Sequence, residues 1–179
     1  MNRYLASLTL LLFMVPSLRA AGGPLPPTLT VEGKAPLTLA AQATRWDLLG
    51  AVELYTIALY TDQGAVSRDI LASPDVAKAL RIQVSYEEDL RRRLALDWRR
   101  ELLPRLESAA TAHIQGSFAP IQHGDVVIVE YVPGRGTTVR VNRGVAVSGA
   151  NHDLMLAFLD HWIGQRPLSE EIKQSLLAH

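Results

Sequence analysis

Apolar side chains recur along this chain at two spacings. Neighbours alternate across a strand, whereas residues three and four apart share one face of a helix, so the spacing separates the two kinds of element. Thr28–Val31 and Leu37–Leu39 flank the turn-forming run Glu32-Gly33-Lys34-Ala35-Pro36, which predicts a hairpin. The stretch Ala43–Thr61 carries Trp46, Val52, Leu54, Tyr55, Ile57, Leu59 and Tyr60, and predicts two strands bending at Leu49-Gly50-Ala51. A short helix is expected over Ala65–Ala72, closed by Ser73-Pro74 because a residue before proline is pushed out of helical geometry. A strand over Ala79–Ser85 follows. Alternation returns in Asp125–Val132 and resumes in Thr137–Asn142 after Pro133-Gly134-Arg135-Gly136, with a third short strand at Val145–Ser148.

Helical spacing dominates elsewhere. Leu90, Leu94, Trp98 and Leu102 fall at intervals of four within Glu87–Ala112, with acids leading and arginines trailing as the helix dipole prefers, and with a break expected at Pro104. From Asn151, the residues Leu154, Met155, Phe158, Leu159 and Trp162 share one helical face up to Gly164, which suits a C-terminal cap. A last helix is predicted after the N-cap Ser169, opening on Glu170 and Glu171. Strands, then helices, then strands, then helices make this an α+β chain: an antiparallel sheet with helices packed on one face.

The N-terminus stands outside that pattern. Met1–Ala20 has a cationic start at Arg3, an apolar run over Leu5–Pro16 of about twelve residues and a short exit, the layout of a secretory signal peptide. The run is short of the roughly 20 residues a helix needs to cross a bilayer, so no integral membrane segment is expected after cleavage. A retained anchor is the competing reading. Residues 21–27, rich in Gly and Pro, are expected to be a flexible lead-in outside the core, and 28–179 a single domain. The absence of cysteine leaves an oxidising compartment tolerated but unused, and the expected location is periplasmic or secreted. Lys and Arg together number 18, as do Asp and Glu, so no net field draws in nucleic acid.

Candidate chemistry is sparse. Pro133–Thr138 superficially suggests a phosphate loop, but it lacks the lysine and leads into a strand pattern where an anion needs a helix N-terminus; a tight β-turn is the better reading. Arg91, Arg92, Arg93, Arg99, Arg100 and Arg105 alternate with acids at helical spacing, which predicts an ion-paired, solvated face. His113, His123, His152, His161 and His179 show no metal-ligand spacing, no Gly-x-Ser-x-Gly elbow is present, and nothing calls for a cofactor or metal. Arg45 is the exception, beside Trp46 at the head of an apolar, tyrosine-bearing segment. A guanidinium buried there must find an anion or several acceptors; one at a strand end would simply reach solvent.

Taken jointly, several of these segments resemble the chalcone isomerase-like family, and in particular its exported bacterial branch. Glu53-Leu-Tyr-Thr-Ile-Ala-Leu-Tyr60 resembles a family strand that ends in a Leu-Tyr or Val-Tyr pair and is preceded, about ten residues earlier, by an arginine, here Arg45. Trp162-Ile-Gly-Gln-Arg-Pro-Leu-Ser-Glu-Glu-Ile-Lys173 resembles its ending, and Gly124-Asp-Val with Tyr131–Thr138 its strand and turn. The resemblance implies an open-faced β-sandwich, a curved antiparallel sheet carrying a layer of helices with a cleft between them. It also implies a choice of activity, because the family holds flavonoid ring-closing isomerases and relatives that bind fatty acids without turnover. Two threonines of the isomerases are matched here by Tyr55 and His161, and Tyr86 is only a loose match to the plant enzymes' tyrosine near the middle helix. The leading expectation is therefore a binder of a small apolar ligand, a fatty-acid-like carboxylate, with Arg45, Tyr55 and His161 at the site. Two others stay open: an isomerase acting on an enone-like substrate with Arg45 as electrostatic catalyst, and a structural or partner-binding domain with a filled cleft.

Overall fold

The computed structural model describes residues 25–47, 52–85, 122–149 and 151–178. Seven strands form one antiparallel sheet in which each pairs with the next along the chain: β1 (Thr28–Leu29), β2 (Leu37–Asp47), β3 (Val52–Thr61), β4 (Lys78–Val84), β5 (Val126–Val132), β6 (Gly136–Val141) and β7 (Gly144–Gly149). Three helices accompany them among the described residues: α1 (Arg68–Ala72), α2 (Asp153–Ile163) and α3 (Glu170–Leu177). The predicted helix over Glu87–Ala112, its break at Pro104 and its arginine run lie outside the described residues, as does Tyr86.

The expected elements form with informative shifts. Leu37–Leu39 and the segment from Ala43 are one strand, because no turn-forming residue separates them and Ala40 is absorbed as a bulge: the register steps from Leu39↔Tyr60 to Ala41↔Leu59. That extra residue reverses the side the strand presents. Leu37 and Leu39 pack on one face of the sheet, whereas Ala41 and Ala43 join the core on the other. The short helix starts at Arg68 rather than Ala65, since Ser67 caps it by accepting from Ile70 N at 3.1 Å. Ala65 is held instead by the Thr61 hydroxyl, which accepts from its N–H and donates to its carbonyl. The turn between β5 and β6 places Gly134 and Gly136 at φ of 77° and 92°, a conformation that favours glycine, and so behaves as a turn rather than a phosphate loop.

The larger core lies between the sheet and α2 with α3, where Ile57, Leu59, Ile82 and Val129 meet Phe158, Trp162 and Ile172. The opposite face carries a smaller cluster around Leu37, Ala58, Tyr60 and Ala79. Leu25–Pro27, expected to end a flexible lead-in outside the core, are tied down against this second face. Leu25 packs there, Tyr60 Oη donates to Pro26 O at 2.9 Å and Leu39 N to Pro27 O at 2.9 Å. Gly164 closes α2 with φ of −69°, so the glycine is required by space and not by a left-handed turn: a Cβ there would collide with Asp160.

Candidate functional site

The bulge at Ala40 decides which side of the sheet Arg45 occupies. Counting in twos from Ala41 and Ala43, Arg45 falls on the helix-facing side, and the register pairs it directly with Tyr55 of β3. A second irregularity follows at once, with Trp46 opposite Glu53 and Leu54 left over, a position at which bulges commonly re-aim side chains. Arg45 remains half-buried, while Tyr55 is 1% exposed. Among the described residues the Arg45 guanidinium has no ion pair and no side-chain hydrogen bond.

Helix α2 brings the next layer. Its buried face carries Leu154, Met155, Phe158, Leu159, His161 and Trp162, the periodicity legible in the sequence with His161 added. Trp162 Nε1 donates to Tyr55 Oη at 3.1 Å. Because an indole N–H can only donate, the phenol oxygen accepts here and its own proton is directed elsewhere. His161, 1% exposed, meets Trp162 edge to face with ring centroids 4.7 Å apart. The end of α2 is fastened by Leu168 N donating to His161 O at 2.9 Å and by Lys173 Nζ donating to Gly164 O at 2.8 Å, and α3 packs on β2, the strand that bears Arg45. Arg45 and Tyr55 are thus brought together by register. His161 stands one residue from the side chain that reaches Tyr55.

Chemically, a half-buried guanidinium paired across the strands with a phenol held by an indole can receive an anion with two acceptor oxygens. Sequence reasoning placed Trp162 on a core face but missed its bond to Tyr55. It also missed Lys78, a buried cation whose signal was its place in phase with Leu80 and Ile82. The polar cavity on the far face, about 360 Å³ and lined by Glu32, Glu130, Arg135 and Arg140, is already neutralised. Arg140 Nη2 meets Glu130 Oε1 at 2.8 Å, and burial holds the Glu130 carboxyl above its usual range against the opposing pull of Arg140. Among the described residues no three acidic or histidine side chains converge as metal ligands.

A solved structure of a fatty-acid binding protein from Arabidopsis thaliana shares this fold, with a TM-score of 0.56 over 84% of this chain and 89% of that one, at 16% identity. No curated protein matches the chain. The family model described as chalcone isomerase-like matches residues 17–178, nearly the whole length, and its expected architecture is the one observed: an open antiparallel sheet with helices on one face. The chain therefore belongs to the chalcone isomerase-like family.

Proposed function

We propose that this protein is exported and holds a small apolar molecule by its carboxylate, with Arg45 and Tyr55 as the anchors and His161 bordering the same site. The reading rests on one observation, the cross-strand pairing of a half-buried arginine with a phenol whose oxygen already accepts from Trp162. A planar guanidinium grips both oxygens of a carboxylate, and the phenol adds a third hydrogen bond. The shared fold with a fatty-acid binding protein supports the same ligand class. Binding is favoured over ring closure because, by the family resemblance, Tyr55 and His161 match positions at which the isomerases have threonines, so two of the donors that would hold a developing oxyanion are replaced. In this proposal Met1–Ala20 is removed on export and the protein works in the periplasm or outside the cell.

The test is to purify the exported protein from its host and analyse co-purifying small molecules by denaturing mass spectrometry, in wild type and Arg45→Ala. A carboxylate carried by the wild type and lost from the variant is the expected result. Equal carriage by both refutes Arg45 as the anchor.

A further inference from the structure

Lys78 opens β4 on the helix-facing side of the sheet and is fully buried. Its ammonium donates to the carbonyls of Leu71 at 2.7 Å and Ser73 at 2.6 Å, at the end of α1, with Ile70 O further off at 3.4 Å. The third proton meets His152 Nε2, 3.0 Å away. An ammonium has no lone pair, so Nε2 must accept; the imidazole is neutral and carries its proton on Nδ1. The ring packs on Tyr131 with centroids 4.3 Å apart, and Tyr131 is fixed in turn by donating to Pro74 O at 2.7 Å. His152 is the residue just before α2, and its carbonyl accepts from Leu156 N at 3.1 Å. This hydrogen bond ties the start of the helix that carries Trp162 to β4 and, through Lys78, to α1, beside a second tie from β6 in which Thr137 Oγ1 donates to Asn151 O at 2.9 Å.

We propose that Lys78 and His152 form an acid-sensitive latch on α2: protonation of His152 removes the acceptor, sets two cations face to face and releases the start of the helix.

The groups around the pair favour this behaviour. Among the described residues neither partner forms an ion pair. From β5 the latch meets only the Tyr131 ring, 5.4 Å from Lys78 Nζ, and from α1 only carbonyls. Asp62, in the turn after β3, favours the charged lysine. Asp153, exposed on α2, favours the charged histidine, but burial and the Lys78 charge outweigh it and hold His152 below its ordinary 6.5. The helix N-terminus adds a further positive potential against the imidazolium. Since the unfolded chain then binds the proton more readily, the stability from this contact is full above about 6.5 and is lost as pH falls below it. The consequence for the ligand rests on the proposed function. Helix α2 also holds Tyr55 through Trp162, so opening it weakens one anchor.

Hydrogen exchange of α2 amides in the full chain, corrected for the intrinsic effect of pH, is expected to show protection falling roughly tenfold from about pH 7 to pH 5, while β3 and β4 keep theirs. His152→Gln, whose amide oxygen accepts from Lys78 at every pH, is expected to flatten that response. Unchanged wild-type protection, or a fall that persists in the variant, overturns the latch. Should the variant fail to fold, NMR titration of the wild-type His152 ring decides: titration at or above the ordinary histidine value overturns it. Oleate binding followed over the same range separates the latch from the ligand reading. Acid opening of α2 with no oleate bound at any pH refutes the ligand reading and leaves the latch standing. Oleate lost in step with α2 protection supports both, and oleate held undiminished while α2 opens overturns their coupling.

Discussion

Lys78 and Arg45 both stand on the helix-facing side of one sheet, and the fold treats them in opposite ways. Each proton of the Lys78 ammonium has a protein acceptor, and the side chain is closed off from water. Arg45, near the end of β2, is half-buried beside Tyr55 with no protein anion among the described residues. A cation whose acceptors are all supplied by the chain is a fastening. One left partly open next to a phenol is what the proposed carboxylate anchor requires.

The most drastic way to break this contrast is to delete Ala40. Without the bulge, either Arg45 moves to the far face or the paired core residues do, so a loss of at least about 4 kcal/mol is expected in chemical denaturation. A deletion variant of unchanged stability that still binds oleate would show that the bulge does not set the faces. Lys78→Met comes next, because it strands the Leu71 and Ser73 carbonyls; about 3 kcal/mol of stability should be lost. The same variant sharpens a linkage argument. Burial lowers Lys78 from 10.5 to about 8, so the unfolded chain binds more protons between those values and wild-type stability should rise with pH across them. Lys78→Met should flatten that rise.

Arg45→Ala should leave the fold nearly untouched yet weaken oleate binding by about 2 kcal/mol in calorimetry, the scale of hydrogen bonds to a charged group. If stability falls and affinity does not, the two cations are alike after all. Tyr55→Phe should cost about 1 kcal/mol of stability by leaving Trp162 Nε1 without its phenol acceptor, with a smaller loss of affinity than Arg45→Ala. The smallest effect is expected from Glu130→Gln on the far face. Burial raises the Glu130 carboxyl, so the folded state binds more protons just above its ordinary 4.5 and wild-type stability falls as pH rises through that window. The variant should remove this slope and change stability at neutral pH by less than about 1 kcal/mol, because the Arg140 pair is lost as the burial penalty is relieved.

Much of the fold is legible in the sequence alone. Alternation in Val127, Val129 and Tyr131, the Gly-Arg-Gly turn and the helical face of Leu154, Met155, Phe158 and Trp162 all report local periodicities that the backbone must obey. The errors fall where local signals are silent. No turn residue announces the bulge at Ala40, and a serine three residues into the predicted helix claims the cap. Leu25–Pro27 look like linker by composition, but are held by Tyr60 from 34 residues away.

The candidate site divides in the same way. The sequence by itself determined that Arg45 heads an apolar strand segment, that Tyr55 sits within it and that His161 rides on a buried helix face, because those are statements about neighbours along the chain. Only the tertiary structure decided that Arg45 and Tyr55 face each other, that Trp162 holds the phenol and that His152 meets Lys78 across 74 residues. Side-chain direction in a strand has a period of two, so one extra residue reverses it, and hydrogen bonds between distant residues depend on a register that no local pattern records.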